Sequence, residues 1–112
     1  MKRGEIWRVN LDPTVVSETK KSRPCVIVNN DAVGILPLKI IIPLTGWQDK
    51  FEKGKWLVPI EASPQSGLSK KSAADTFQVR SVSEIRLIEK IGVLTEVEMK
   101  AIEQGLALSL DL

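Results

Sequence analysis

Two polar stretches hold the side chains with the most chemical capacity. The first runs from Asp12 to Ser22 and carries Glu18, Lys20 and Lys21, with Arg23 next in line. The second begins at Pro43-Leu44-Thr45 and continues through Trp47, Lys50, Lys53 and Lys55. Lysines interleaved with an aromatic ring suit a single-stranded nucleic acid: the cations meet phosphates and the ring stacks on a base. The same runs also suit a plain solvated face. The chain has no histidine and no tyrosine, and Cys25 is its one cysteine. That excludes Ser-His-Asp and Cys-His catalysis, a histidine general base and His-rich zinc sites. Chemistry falls to Arg, Lys, Asp, Glu, Ser, Thr or Cys25. The apolar run around Cys25 marks it as packing rather than a nucleophile.

These residues need a scaffold to hold them. At 112 residues the chain reads as one domain, 1–112, large enough for a core without staples. Hydrophobic residues make up 43% and charged residues 27%, which argues against disorder. A net charge of +2 is too small to identify a nucleic-acid partner, so any basic patch must be local. No apolar run approaches a membrane span, and no apolar segment follows Met1–Glu5 as a secretory signal would. A cytoplasmic location is the expectation.

Periodicity predicts strands at 3–11, 23–30, 36–44, 55–61 and 72–82, and allows another at 91–94. Trp7, Val9 and Leu11 share one face of the first. Trp56, Val58 and Ile60 point inward from the fourth, and Phe77 and Val79 share a face of the fifth. Trp7, Trp56 and Phe77 are expected in the core. Helical turns are expected within 62–71 and 83–90. Thr95 reads as a helix N-cap, with Glu98 completing a capping box and Leu94 and Met99 a hydrophobic staple. Val97, Ala101, Ile102 and Leu106 form the apolar stripe of that helix, and Gly105 is expected to fray it near Ser109. Short strands with uneven loops and a terminal helix predict a mainly β fold, a small SH3-like barrel. If the second and third strands pair as a hairpin, Arg23 and Thr45 lie at one end of the sheet, close enough to share a ligand.

The ordered series Arg3-Gly4-Glu5-Ile6-Trp7, Asp12-Pro13-Thr14, Glu18, Lys21-Ser22-Arg23-Pro24, Val26-Ile27-Val28-Asn29 and Pro43-Leu44-Thr45 resembles the MazF/PemK family of toxin endoribonucleases. Ser66-Gly67-Leu68, Ser72, Gln78-Val79-Arg80-Ser81-Val82 and Arg86-Leu87 continue the match. The resemblance implies an SH3-like barrel, a homodimer, and cleavage of single-stranded RNA with neither metal nor other cofactor. It implies a partner antitoxin whose acidic flexible tail covers the RNA groove. It assigns catalysis to Arg23, Thr45 and Glu18.

The chemistry open to that set is attack of the ribose 2′-OH on phosphorus, giving 2′,3′-cyclic phosphate and 5′-OH ends. Arg23 and Thr45 stabilise phosphoryl charge and Glu18 serves as base. Lys20, Lys21, Trp47, Lys50, Lys53, Gln78 and Arg80 are the expected RNA contacts. The chain departs from the family in three places. Val16 stands where many members have Gly. Phe77-Gln78 replaces a frequent Asp-Gln pair, with Asp75 two residues earlier as a substitute. The histidine that some members carry in the first loop is absent. The Phe77 departure suits an alternative: a non-catalytic toxin or nucleic-acid-binding module, such as a gyrase poison or degenerate RNA binder.

Overall fold

Residues 1–11 and 22–112 are described by the computed structural model. Glu18, Lys20, Lys21, the Asp12–Thr14 motif and Val16 lie outside the described residues. Among the described residues there are seven strands and one α-helix: β1 (Glu5–Asn10), β2 (Ser22–Ile27), β3 (Leu38–Gly46), β4 (Leu57–Ile60), β5 (Ser72–Asp75), β6 (Arg80–Ser83), β7 (Leu87–Val93) and α1 (Glu96–Leu110). All pairings are antiparallel, in the order β4-β5-β3-β2-β1-β7, with β6 also on β3.

The doubly apolar central strands have a direct cause, since they serve two cores. Ile6, Val26, Ile42 and Leu44 join Ile60 and Ile102 on one face. Val9, Cys25, Ile27 and Ile41 join Val82 and Leu87 on the other. Neighbours such as Val26 and Ile27 are both fully buried yet point opposite ways. Burying each such side chain stabilises the fold by roughly 1.5–3 kcal/mol. Trp7 and Leu11 pack beside Val9 as the alternation predicts.

Among the described residues the ladder ends at β4 and β7 without closing. The loop after β4 bridges that gap, and the Val93 N–H donates to the Gln65 carbonyl at 2.9 Å. Gly67, at φ +71°, makes this seam possible, because a Cβ there would lie 2.2 Å from the Ile91 carbonyl oxygen. Ser66 locks the turn from within: its buried Oγ donates to the Glu61 carbonyl (3.0 Å) and accepts from the Ser63 and Leu68 N–H groups (3.1 and 3.2 Å).

Several expectations need correction. The strand expected at 72–82 is two strands, β5 and β6, separated by a 3-10 turn at Thr76–Gln78. Both flank β3: Leu44 pairs with Ala74, and Ile41 with Arg80. The two intervening β3 residues therefore face the longer stretch Asp75–Val79, and the surplus bulges into the turn. Phe77, on that bulge, is 73% exposed rather than core, and Trp56, just before β4, is 41% exposed. β7 starts at Leu87, earlier than expected, because it pairs with β1 along its length.

Helix α1 has the full capping box, but Val97 is exposed and lies off the buried stripe. The helix also runs on to Leu110 instead of fraying at Ser109. Gly105 is its contact point: a Cβ there would lie 2.9 Å from Thr76 Cγ2. Thr76 is fully buried; its hydroxyl donates to the Trp56 carbonyl (2.7 Å) and shares a bond with Ser109 Oγ (2.9 Å). The helix thus anchors the 76–78 turn.

Candidate active site

β2 and β3 pair in the register Cys25–Pro43, Val26–Ile42, Ile27–Ile41. Continued two residues further, that register sets Arg23 across from Thr45 where the ladder runs out. Thr45 is tied on its other side to Ala73 of β5. Three adjoining cavities open there. One of 270 Å³ is lined by Leu11, Arg23, Pro43, Leu44, Thr45, Asp75 and Gln78. A second of 460 Å³ takes in Arg8, Arg23, Thr45, Gly46, Leu68, Ser69 and Lys70. A third of 530 Å³ runs past Thr45 to Trp47, Gln48, Lys70 and Lys71. Thr45 borders all three and Arg23 the first two, so the pair marks the centre of a continuous groove.

The groove is cationic. Among the described residues no carboxylate lies within ion-pair distance of Arg23 or Lys70. Arg8 Nε lies 3.5 Å from Glu89. Lys71 Nζ sits 4.7 Å from the Trp47 ring centroid, a cation–π contact, and 3.8 Å from Glu61. Phe51 meets Trp47 edge-on at 5.8 Å, which fixes the ring. Among the described residues the one carboxylate lining the Arg23–Gln78 cavity is Asp75. Its Oδ2 accepts from Gln78 Nε2 at 2.8 Å and its Oδ1 from the Phe77 N–H at 3.1 Å. Cys25 lies beneath, its thiol donating to the Arg23 carbonyl at 3.6 Å. Burial pushes that thiol up to about 12, against the lowering influence of Arg23 and Arg80, so it stays protonated and is no nucleophile.

The structure brings Arg23, Thr45, Gln78 and Trp47 to the groove. Lys50 and Lys53 are exposed on a 3-10 helix, Asp49–Lys53, and Arg80 is exposed at the start of β6. These three are not among the residues lining the three cavities. Sequence reasoning passed over Arg8, Lys70 and Lys71. Arg8 is signalled only by its place between Trp7 and Val9. Lys70-Lys71 forms a dibasic step entering β5 and could have been read as the far wall.

The model of the family described as PemK-like, MazF-like toxin of type II toxin-antitoxin system matches residues 2–110. A relative from Mycobacterium tuberculosis (strain ATCC 25618 / H37Rv) named Endoribonuclease MazF9 is 32% identical, over 100% of this chain and 98% of its own. Among solved structures, Mycobacterium tuberculosis toxin MazF-mt6 superposes with a TM-score of 0.77 at 21% identity, covering 96% of this chain and 97% of that one. An endoribonuclease in complex with its cognate antitoxin from mycobacterial species gives 0.75 at 19% identity, over 100% and 96%. The barrel expected from the strand pattern is the fold these toxins share. With the family model spanning nearly every residue, the chain belongs to the PemK-like, MazF-like toxins of type II toxin–antitoxin systems.

Proposed function

We propose that this toxin is an endoribonuclease that cuts single-stranded RNA without a metal ion and is restrained by a cognate antitoxin. The observation that carries this reading is the convergence of Arg23 and Thr45 where β2 and β3 part, at the centre of a cationic groove. The name of the 32%-identical relative supports the activity.

In the reaction the ribose 2′-oxygen attacks the adjacent phosphorus, the bond to the 5′-oxygen breaks, and 2′,3′-cyclic phosphate and 5′-OH ends result. The Arg23 fork takes two phosphoryl oxygens and holds the charge that builds on them. The Thr45 hydroxyl donates to the same oxygens. A guanidinium keeps its proton too tightly to shuttle it, so Arg23 acts by charge. Glu18 removes the 2′-OH proton, and water supplies the proton that the departing 5′-oxygen takes up. Trp47 stacks on a base, Gln78 contacts another, and Lys20, Lys21, Lys50, Lys53 and Arg80 guide the phosphate chain.

The protein works as a homodimer in the cytoplasm, where its substrate is. An acidic antitoxin tail competes for the same groove, placing carboxylates where phosphates would lie. The non-catalytic alternative rests on Phe77; Asp75, beside Gln78 in the cavity wall, puts a carboxylate in that neighbourhood and so supports the catalytic reading.

The test is incubation of purified protein with mixed single-stranded RNA in excess EDTA. Cleavage to cyclic-phosphate ends, with single-stranded DNA left intact, is expected. Activity that disappears on chelation and returns with a divalent ion would overturn the metal-free route. Titration of an antitoxin tail should release RNA bound to Arg23→Ala protein; simultaneous binding of both would move the antitoxin site elsewhere.

A further inference from the structure

We propose that Asp75 is a positioning residue for base recognition: it fixes the amide of Gln78 so that the free edge of that amide reads a nucleobase beside the scissile phosphate. The inference rests on the reading above for the identity of the ligand, single-stranded RNA.

The 3-10 turn at Thr76–Gln78 creates the arrangement. Such a turn has three residues per turn, so positions three apart eclipse one another. Asp75 and Gln78 therefore meet on one side, at 2.8 Å, while Phe77 between them is turned out to solvent. The turn is pinned from below by fully buried Thr76, so the pair stands on a rigid base.

The chemistry of the partners sets the orientation. A carboxylate only accepts, so only the nitrogen end of the Gln78 amide can face Asp75. Oε1 and one N–H are then left for a ligand. Both residues line the cavity that Arg23 and Thr45 also line, which places this edge next to the phosphate position. A side-chain amide offering an acceptor beside a donor matches a base edge offering the reverse, and such bidentate pairs discriminate by roughly tenfold or more. The second Asp75 oxygen caps the Phe77 N–H at 3.1 Å, so one carboxylate both shapes the turn and orients the reader.

Replacing Asp75 by Asn separates these roles. The Asn oxygen can still cap Phe77, but its amide nitrogen now donates, and Gln78 must rotate to present Oε1 to it. The free edge reverses while the turn is kept.

The experiment is selection from a randomised single-stranded 2′-fluoro RNA pool, which can be bound but not cut. Wild type, Asp75→Asn, Asp75→Ala, Gln78→Ala and the Asp75→Ala/Gln78→Ala double variant are compared, with thermal melting measured for each. Wild type should enrich one base at a defined position. Gln78→Ala should lose that enrichment about tenfold or more, and Asp75→Ala should weaken it at the same position. The double variant should match Gln78→Ala. Asp75→Asn should change which base is favoured there while melting like wild type.

The proposal is overturned if both Asp75 variants keep the wild-type preference. It is also overturned if wild type shows no preference that Gln78→Ala removes, or if Asp75→Asn weakens every position equally. Cleavage of a ribose copy of the enriched sequence by wild type judges the endoribonuclease reading separately. Base preference without cleavage would leave Asp75 its positioning role and remove that reading.

Discussion

At its Gly46 end β3 borders a groove edged with Arg23, Lys70 and Lys71; at its Leu38 end it borders exposed aliphatic side chains. Ile35 is 100% exposed and Ile85 72%, with Leu36, Leu38 and Ile40 around them. The cation there, Lys39, is tied to Glu84 at 2.6 Å, whereas among the described residues Arg23 and Lys70 have no such partner. One strand of nine residues thus ends in two different surfaces. A net charge of +2 conceals this. The arrangement of charge selects a polyanion, not its sum, and cations such as Arg23 and Lys70 that no carboxylate of the described residues pairs with are open to an incoming anion. The aliphatic end offers a phosphate chain nothing.

The comparison breaks most readily at Arg23. Arg23→Ala should slow RNA cleavage a hundredfold or more, since a donor aimed at developing charge contributes roughly 3–4 kcal/mol. Single-turnover rates measured beside unchanged circular dichroism would establish this; a folded variant cutting at the wild-type rate would place the chemistry elsewhere. Gly67→Ala drives a Cβ into the Ile91 backbone and should lower stability by roughly 2–4 kcal/mol in urea unfolding. Leu68, Ser69 and Lys70 line the groove from that same turn, so any surviving activity should fall with it.

Glu5 tests the other side of the ladder. Burial acts to raise its carboxyl, but bonds from Trp7, Lys2 and Lys90 and the chain's amino group outweigh it and bring it down to about 2 from 4.5. A lowered folded value means stability that is fully present above about pH 4.5 and lost as pH falls towards 2. Glu5→Gln should flatten that acid limb and lower stability at neutral pH, read from urea midpoints across pH. Thr45→Ala should slow cleavage about tenfold or somewhat more, the loss of one hydroxyl hydrogen bond to a charged phosphoryl oxygen, ~1.5 kcal/mol. Smallest of all, Ile35→Ser should leave the cleavage rate unaltered and shift stability by no more than about 0.5 kcal/mol. A marked loss of cleavage there would mean the two ends of β3 are not independent.

Much of this was readable from side-chain order. The packing role of Cys25 followed from the apolar run Cys25-Val26-Ile27, and the strand-end position of Arg23 and Thr45 followed from pairing the second and third strands. The capping box at Thr95 and Glu98 was legible because its chemistry is local. The break between β5 and β6 was not. Phe77 and Val79 alternate with Gln78 and Arg80 as any strand would, and only pairing to two separate parts of β3 forces the surplus residues out. Gly105 misled for a related reason. Propensity reads it as a weak point in a helix, but the deciding contact, Thr76, lies far away in sequence. Lys70 and Lys71 join Trp47 only because β5 is laid beside β3, where the Trp47 N–H donates to the Lys71 carbonyl at 3.0 Å. The role given to Glu18 lies outside the described residues.

The bulge between β5 and β6 separates two kinds of change. Each flanking strand is secured to β3 by its own ladder, and the turn between them is fastened to α1 through Thr76 and Ser109. Residues 77 and 78 can therefore be exchanged without disturbing the register on either side, while Asp75 stays as the last residue of β5 and the cap of the turn. The segment is a replaceable piece in a fixed frame, so on the proposed reading the base preference can change while Arg23 and Thr45 stay where they are.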